Sequence, residues 1–329
     1  MGEERFLDDA DARMRKEDRP RSCPLCKRES VSFEVVGEFV FGGKREQRFY
    51  ECPSCDVAFL SPQPSPQEEA EFYAREFEKF MEKRSGETGA WTGPEAHVAA
   101  NQDNVRRRLA VIQRELSVPR QRILEVGCSS GFMLLALRDM GMEVMGVEPS
   151  GGFTSFIRAQ NIPVYESLDK FEIPTGTAGA LDLIIHFFVL EHVRYPLAFL
   201  EQCLALLKPT GTVFFEVPSR SDPLITIYKI DAFQKFYWSA AHYWYFNRNS
   251  LEYLCRRLPC EYELIPEQRY DLSNHMWWAL TGKAGGSAKF SDKFTGDLEQ
   301  AYKASMRQTG RCDTLFVKLT KSPERARRS

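Results

Sequence analysis

From Arg122 onward the chain alternates continuous apolar runs with amphipathic ones. RILEV leads into the tight turn GCSSG, then into FMLLALRDMG with its apolar positions at helical spacing, then into EVMGV. A short apolar run bounded by glycine reads as a buried strand, and a 3.6-residue period reads as a helix. The alternation continues through GGFTSFIRAQ (helix), IPVYES (strand), LDLIIHFFVLEHV (strand and exit loop), PLAFLEQCLALLKP (helix), GTVFFEVPS (strand) and finally TLFVKLT (strand). Such a series, with a sixth strand placed between GTVFFEVPS and TLFVKLT, predicts an α/β fold, a Rossmann-like doubly wound seven-stranded sheet that takes its ligand over the carboxyl ends of the strands.

Upstream the pattern changes. VSFEVVGEFVFGGKREQRFYE alternates with a period of two around Gly42-Gly43, as a hairpin does. Ser65 ahead of Pro66 marks a helix start, RSGETGAWTGPE is a glycine-rich boundary, and PEAHVAANQDNVRRRLAVIQREL predicts a helix entering the large domain.

Composition narrows the function classes. Hydrophobic residues make up 43% and charged residues 27%, with a formal charge of -2, which is ordinary for a folded soluble protein. That balance argues against a nucleic-acid partner, and Arg106-Arg107-Arg108 is read as a solvated helix face. No apolar run is long enough for a membrane span and the polar start carries no export signal, so a cytoplasmic location is expected.

Nine cysteines in such a chain are not a disulfide framework, so their spacing carries the meaning. Cys23-Pro-Leu-Cys26 and Cys52-Pro-Ser-Cys55 flank the hairpin. Four thiolates from two knuckles complete a closed tetrahedral shell, which predicts structural Zn2+. The expected organisation is a disordered N-terminus (1–20), a zinc-binding module (21–60), a linker with a helix (61–94), a catalytic domain (95–322) and a basic tail (323–329). Insertions fall at about 221–250 and about 272–310.

The segment Glu125-Val-Gly127-Cys-Ser129-Ser-Gly131 with Glu148 at the next strand end resembles the class I S-adenosylmethionine-dependent methyltransferases. The resemblance implies S-adenosyl-L-methionine as cofactor, with Glu125 beneath its methionine end. It also implies that Gly127, Ser129 and Gly131 form the approach turn, that Glu148 accepts from the ribose hydroxyls, and that Leu168, within Ser167 to Asp169, lies at the adenine. The same turn satisfies a G-x-S-x-G nucleophile elbow, but the oxyanion loop and preceding strands that a hydrolase needs are missing.

On the acceptor side, Glu191-His192 closes the fourth strand, and His242 sits in AFQKFYWSAAHYWYFNRNSLEYL, a ring-dense segment expected to form an aromatic lid. His192 and His242 are the candidate bases, titrating near 6.5 if unperturbed, whereas His186 in an apolar run is expected in the core. Together with the cysteine module, the chain resembles bacterial sugar and polysaccharide methyltransferases, the sugar C-methyltransferases among them. Their Y-H-E-H-x-x-Y-F segment survives here only in His242, Tyr245 and Phe246, with Ser239 and Ala241 in place of a tyrosine and a glutamate. A sugar hydroxyl with one histidine as base is therefore expected over a carbon acid. Carbon methylation, a zinc-ribbon RNA methyltransferase and a non-catalytic scaffold are the alternatives; the oligomeric state is not legible.

Overall fold

The computed structural model describes residues 19–30, 32–72, 80, 84, 93–116, 119–149, 151–171 and 181–321. The basic tail and nearly all of the expected disordered N-terminus lie outside the described residues.

Strands β1 (Glu34–Gly37), β2 (Arg48–Glu51) and β3 (Ala58–Ser61) form the N-terminal hairpin and a third antiparallel strand. Ser65 caps the helix Pro66–Glu71 in a capping box with Glu68, as Ser-Pro-x-Glu spacing dictates. The large domain then contributes β4 (Arg122–Val126), β5 (Glu143–Val147), β6 (Val164–Tyr165), β7 (Leu181–Phe187) and β8 (Leu207–Pro218). After β9 (Trp244–Tyr245) come β10 (Cys260–Glu267) and β11 (Thr314–Lys321).

The main sheet has the order β10-β11-β8-β7-β4-β5-β6, parallel from β6 through β8, with β11 antiparallel to both of its neighbours. The strand order reverses between β4 and β7, the switch point at which a doubly wound sheet offers its ligand crevice above the carboxyl ends. Apolar runs serve both faces. Ile123, Leu183 and Ile185 pack with Ile112, Met133, Leu137 and Ile157 from the helices of one face, while Leu124, Val126 and Ile184 join Leu200 and Leu204 on the other. The expected second insertion holds helices Leu272–Thr281 and Gly296–Thr309 between β10 and β11.

Two features depart from the sequence pattern. The segment expected as an aromatic lid is packed: Tyr237, Trp238, Tyr243, Trp244, Tyr245 and Phe246 are all buried. Within it β9 pairs with β3, giving a second sheet of order β1-β2-β3-β9 that joins the N-terminal hairpin to the large domain. The arginine run is also not a solvated face. Only Arg106 is exposed, whereas Arg107 pairs bidentately with the buried Glu216 (2.8 and 2.9 Å) and Arg108 lies 3.5 Å from the same carboxylate. A carboxylate taken out of water needs compensating cations, and the helix face turned inward supplies them.

Candidate methyl-transfer site and cysteine centre

The four knuckle cysteines converge. Cys23 Sγ lies 3.7 Å from Cys55 Sγ and Cys26 Sγ lies 3.6 Å from Cys52 Sγ, with all four sulfurs within 4.8 Å of one another. Disulfides need about 2.05 Å, whereas sulfurs at the corners of a tetrahedron with Zn–S bonds of about 2.3 Å stand about 3.8 Å apart. The donor set therefore fits zinc, and four thiolates leave no open position for catalysis.

At the crevice, β4 ends in a turn with Gly127, Ser129 and Gly131 at φ +71°, +49° and +75°. A Cβ on Gly127 would lie 2.5 Å from Val189 Cγ2, so glycine is required both for the conformation and for the close approach. Ser129 N–H donates to Glu148 Oε2 (2.7 Å), which ties the turn to the end of β5. Glu125 is buried on β4 with Oε2 unpartnered, and burial pushes its carboxyl up to about 8 despite the nearby Arg108. Ser129 Oγ is likewise buried without a partner, and the buried Leu168 opens a single turn after β6. Orphaned polar atoms around a positive-φ turn at the strand ends are what a polar ligand satisfies, and this set fits S-adenosylmethionine. The hydrolase alternative finds no support in Ser129 Oγ, which has no histidine partner.

Over the next strand ends, Glu191 and His192 form a single turn after β7, and His242 meets them from the buried aromatic segment. The ligand atoms of the three lie within 4.8 Å of one another, and the two imidazoles meet edge to face at 4.7 Å. His192 Nδ1 hydrogen-bonds the Ala241 carbonyl (2.7 Å). Both oxygens of Glu191 and Nδ1 of His242 are buried without partners. Burial pushes the Glu191 carboxyl up to about 8, pulls His192 down to about 4 and lowers His242 well below its usual range, where His192 and Arg84 depress it further. His186 is in the core as expected, stacked on Phe215 at 4.7 Å, though both of its ring nitrogens lack partners.

Two contributors escaped the sequence pattern. His97, on the helix Pro94–Ala100, hydrogen-bonds Ser130 Oγ through Nδ1 (2.9 Å) and rests against Phe132 and Phe153 beside the glycine turn. Its only sequence signal was a polar residue on the inner face of that helix. Arg108 is buried between the faces of Phe132 and Phe187 near Glu125, its Nε 3.5 Å from Glu216 Oε2 but without a hydrogen bond.

A ubiquinone biosynthesis O-methyltransferase of Nitrosococcus oceani is 32% identical over 119 residues, 35% of this chain and 50% of that protein. One from Coxiella burnetii is 30% identical over 118 residues, 35% and 50% of the two chains. The chain thus spans about half the length of the curated relatives it matches. Among solved structures, a SAM-dependent methyltransferase from Archaeoglobus fulgidus aligns over 75% of this chain and 100% of its own, at 16% identity and a TM-score of 0.47. The profile of the methyltransferase-domain family matches residues 70–263, more than half of the 329 residues, and the chain belongs to that family.

Proposed function

We propose that this chain transfers the methyl group of S-adenosylmethionine to a hydroxyl of a small-molecule acceptor. The observation that carries the proposal is the cluster of buried Glu191 and His242 with half-buried His192, beside the strand ends that carry the glycine turn and Glu148. A buried polar group left unsatisfied costs about 1–3 kcal/mol, so Glu191 Oε1 and Oε2 and His242 Nδ1 mark the place where a polar acceptor docks.

The cofactor supplies an electrophilic methyl on a sulfonium. The chain's own task is to hold the acceptor oxygen in line with it, exclude water and take the hydroxyl proton. His242 takes that proton. Ionised Glu191 stabilises the resulting imidazolium, and His192, anchored on the Ala241 carbonyl, orients the pair. An oxygen acceptor suits these groups better than a carbon acid, because Ser239 is committed locally, its Oγ accepting from Ala241 N–H (3.3 Å), and Ala241 offers no side-chain base.

Two hydroxyl classes deserve trial. The sequence resemblance favours a nucleotide-linked sugar or surface polysaccharide, and the names of the curated relatives favour a hydroxylated intermediate of ubiquinone biosynthesis. S-adenosylhomocysteine formation measured against a panel of nucleotide sugars and hydroxylated ubiquinone-biosynthesis intermediates separates them, with one class expected to give turnover. Absence of S-adenosylhomocysteine binding by calorimetry, in folded protein, would defeat the whole reading.

A further inference from the structure

The cysteine knuckles adjoin a strand that reaches the acceptor side through backbone alone. Cys52 and Val57 close the second knuckle (Cys52 N–H to Val57 O, 2.9 Å), and β3 begins at the next residue. β3 pairs with β9, matching Ala58 with Tyr245 and Phe59 with Trp244, and Leu60 N–H donates to the Tyr243 carbonyl (2.9 Å). Tyr243 N–H in turn donates to the Glu191 carbonyl (2.8 Å). The hairpin holds the other end of the same segment: Phe41 N–H donates to Trp238 O (2.6 Å), and Ala240 N–H donates to Phe41 O (3.0 Å). His242 therefore lies on a stretch, 238–246, gripped at both ends by the cysteine module.

Side chains lock the junction. Asp56, between the last cysteine ligand and β3, accepts through Oδ2 from Asn247 Nδ2 and Asn249 Nδ2 (2.8 Å each) and through Oδ1 from Arg220 Nη2 (2.8 Å). Arg220 N–H donates to Phe246 O (2.8 Å), so the residue after β9 is fastened both to the knuckle and to the end of β8. Asp56 has φ +58°, a conformation that the knuckle's closing turn imposes.

We infer that the zinc-fitting module is the positioning frame of the acceptor side, with Asp56 as the positioning residue through which knuckle geometry is passed to His242 and Glu191. The inference rests on the proposed roles of those two residues only for its catalytic consequence; the mechanical link stands independently. Four thiolates cannot hold their turns without the ion they share, and a two-residue strand such as β9 has little intrinsic stability of its own. Metal loading should thus set the order of the acceptor side while leaving the turn and strand ends that receive the cofactor, on β4 and β5, untouched.

The test is amide hydrogen exchange on the full chain, with zinc content and S-adenosylhomocysteine affinity measured on the same samples. After zinc is stripped with a strong chelator, residues 238–246 and the amide of Leu60 should exchange at least about 10-fold faster. Residues 122–148 should keep their protection, and S-adenosylhomocysteine affinity should stay within about 2-fold. The zinc-retaining variant Asp56→Ala should loosen 242–249 in the same direction, with Asp56→Asn, which keeps an acceptor oxygen, restoring most of the protection. On an acceptor that supports turnover, Asp56→Ala should lower kcat with the cofactor KM unchanged. Undiminished protection of 238–246 in both the stripped protein and Asp56→Ala would overturn the inference, as would equal loosening of 122–148. If exchange behaves as expected but His242→Ala keeps normal turnover, the frame stands and the assigned base is wrong.

Discussion

His192 Nδ1 sits 2.7 Å from the carbonyl oxygen of Ala241, the residue immediately before His242. The bond fixes His192 as the Nδ1–H tautomer and pins the backbone that presents the second imidazole. The two residues should then fail differently. His242→Ala is expected to lower kcat by about 10²- to 10⁴-fold, the usual contribution of a placed base, with S-adenosylhomocysteine affinity unmoved. His192→Ala should chiefly raise the acceptor KM with a smaller rate loss. Steady-state kinetics on any accepted hydroxyl distinguishes them, and identical losses in kcat alone would reject the division of roles.

The turn that ends β4 depends on Glu148 twice, once as the proposed ribose acceptor and once as the acceptor for Ser129 N–H. Glu148→Ala should weaken S-adenosylhomocysteine binding by about 10- to 150-fold, corresponding to roughly 1.5–3 kcal/mol for hydrogen bonds to a charged group. Calorimetry reads this directly. An affinity within 2-fold of the parent would mean that the cofactor's ribose lies elsewhere.

What could be read from the sequence was what sits close together along it. Glu125, Gly127, Gly131 and Glu148 span one βαβ unit, and each cysteine pair occupies a single turn, so local pattern was enough to bring each set together. The pairing of β9 with β3 left no such trace. It joins Trp244 to Phe59 across the stretch of chain that holds β4 to β8, and a two-residue strand in a ring-rich stretch reads equally well as a lid. The arginine run misled for the same reason: the partner of Arg107 is Glu216, 109 residues away, so nothing nearby in the chain distinguishes an inward guanidinium from a solvated one.

That buried pair has a thermodynamic consequence. Burial pushes the Glu216 carboxyl up, but Arg107, Arg108 and Arg269 together outweigh it and hold the group below the usual carboxylate range. A depressed folded value stabilises the protein above the unfolded value and loses that contribution as pH falls. Glu216→Ala, which strands two guanidiniums in the interior, should cost about 3–5 kcal/mol at pH 7. Urea unfolding should show the gap between parent and variant narrowing below about pH 4. A gap independent of pH would mean that packing, and not charge, accounts for the loss.

Glu191 shows the opposite sign. Its carboxyl is pushed up to about 8 by burial, so the folded protein favours the protonated form near neutrality. Turnover that needs the ionised carboxylate beside His242 should rise with pH through about 8, as a property of the pair and not of either group alone. The limb near 6.5 expected of a free histidine should be missing, because burial keeps His192 neutral down to about 4 and lowers His242 well below its usual range. Glu191→Gln should abolish the limb near 8 and lower kcat by about 10²- to 10⁴-fold. It should also change stability in a direction that no loss of packing imitates. A raised folded value gives a contribution fully present below the unfolded value, about 4.3, and lost as pH rises through the folded one. The isosteric amide, which never ionises, should therefore gain on the parent between about pH 4.5 and 8 and hold a constant advantage above that, on the order of 5 kcal/mol. Paired denaturation curves at pH 5 and pH 9 measure the difference, and pH–rate profiles measure the limb. A flat profile from pH 6 to 9, together with normal turnover in Glu191→Gln, would remove the carboxylate from the mechanism and leave His242 to act without it.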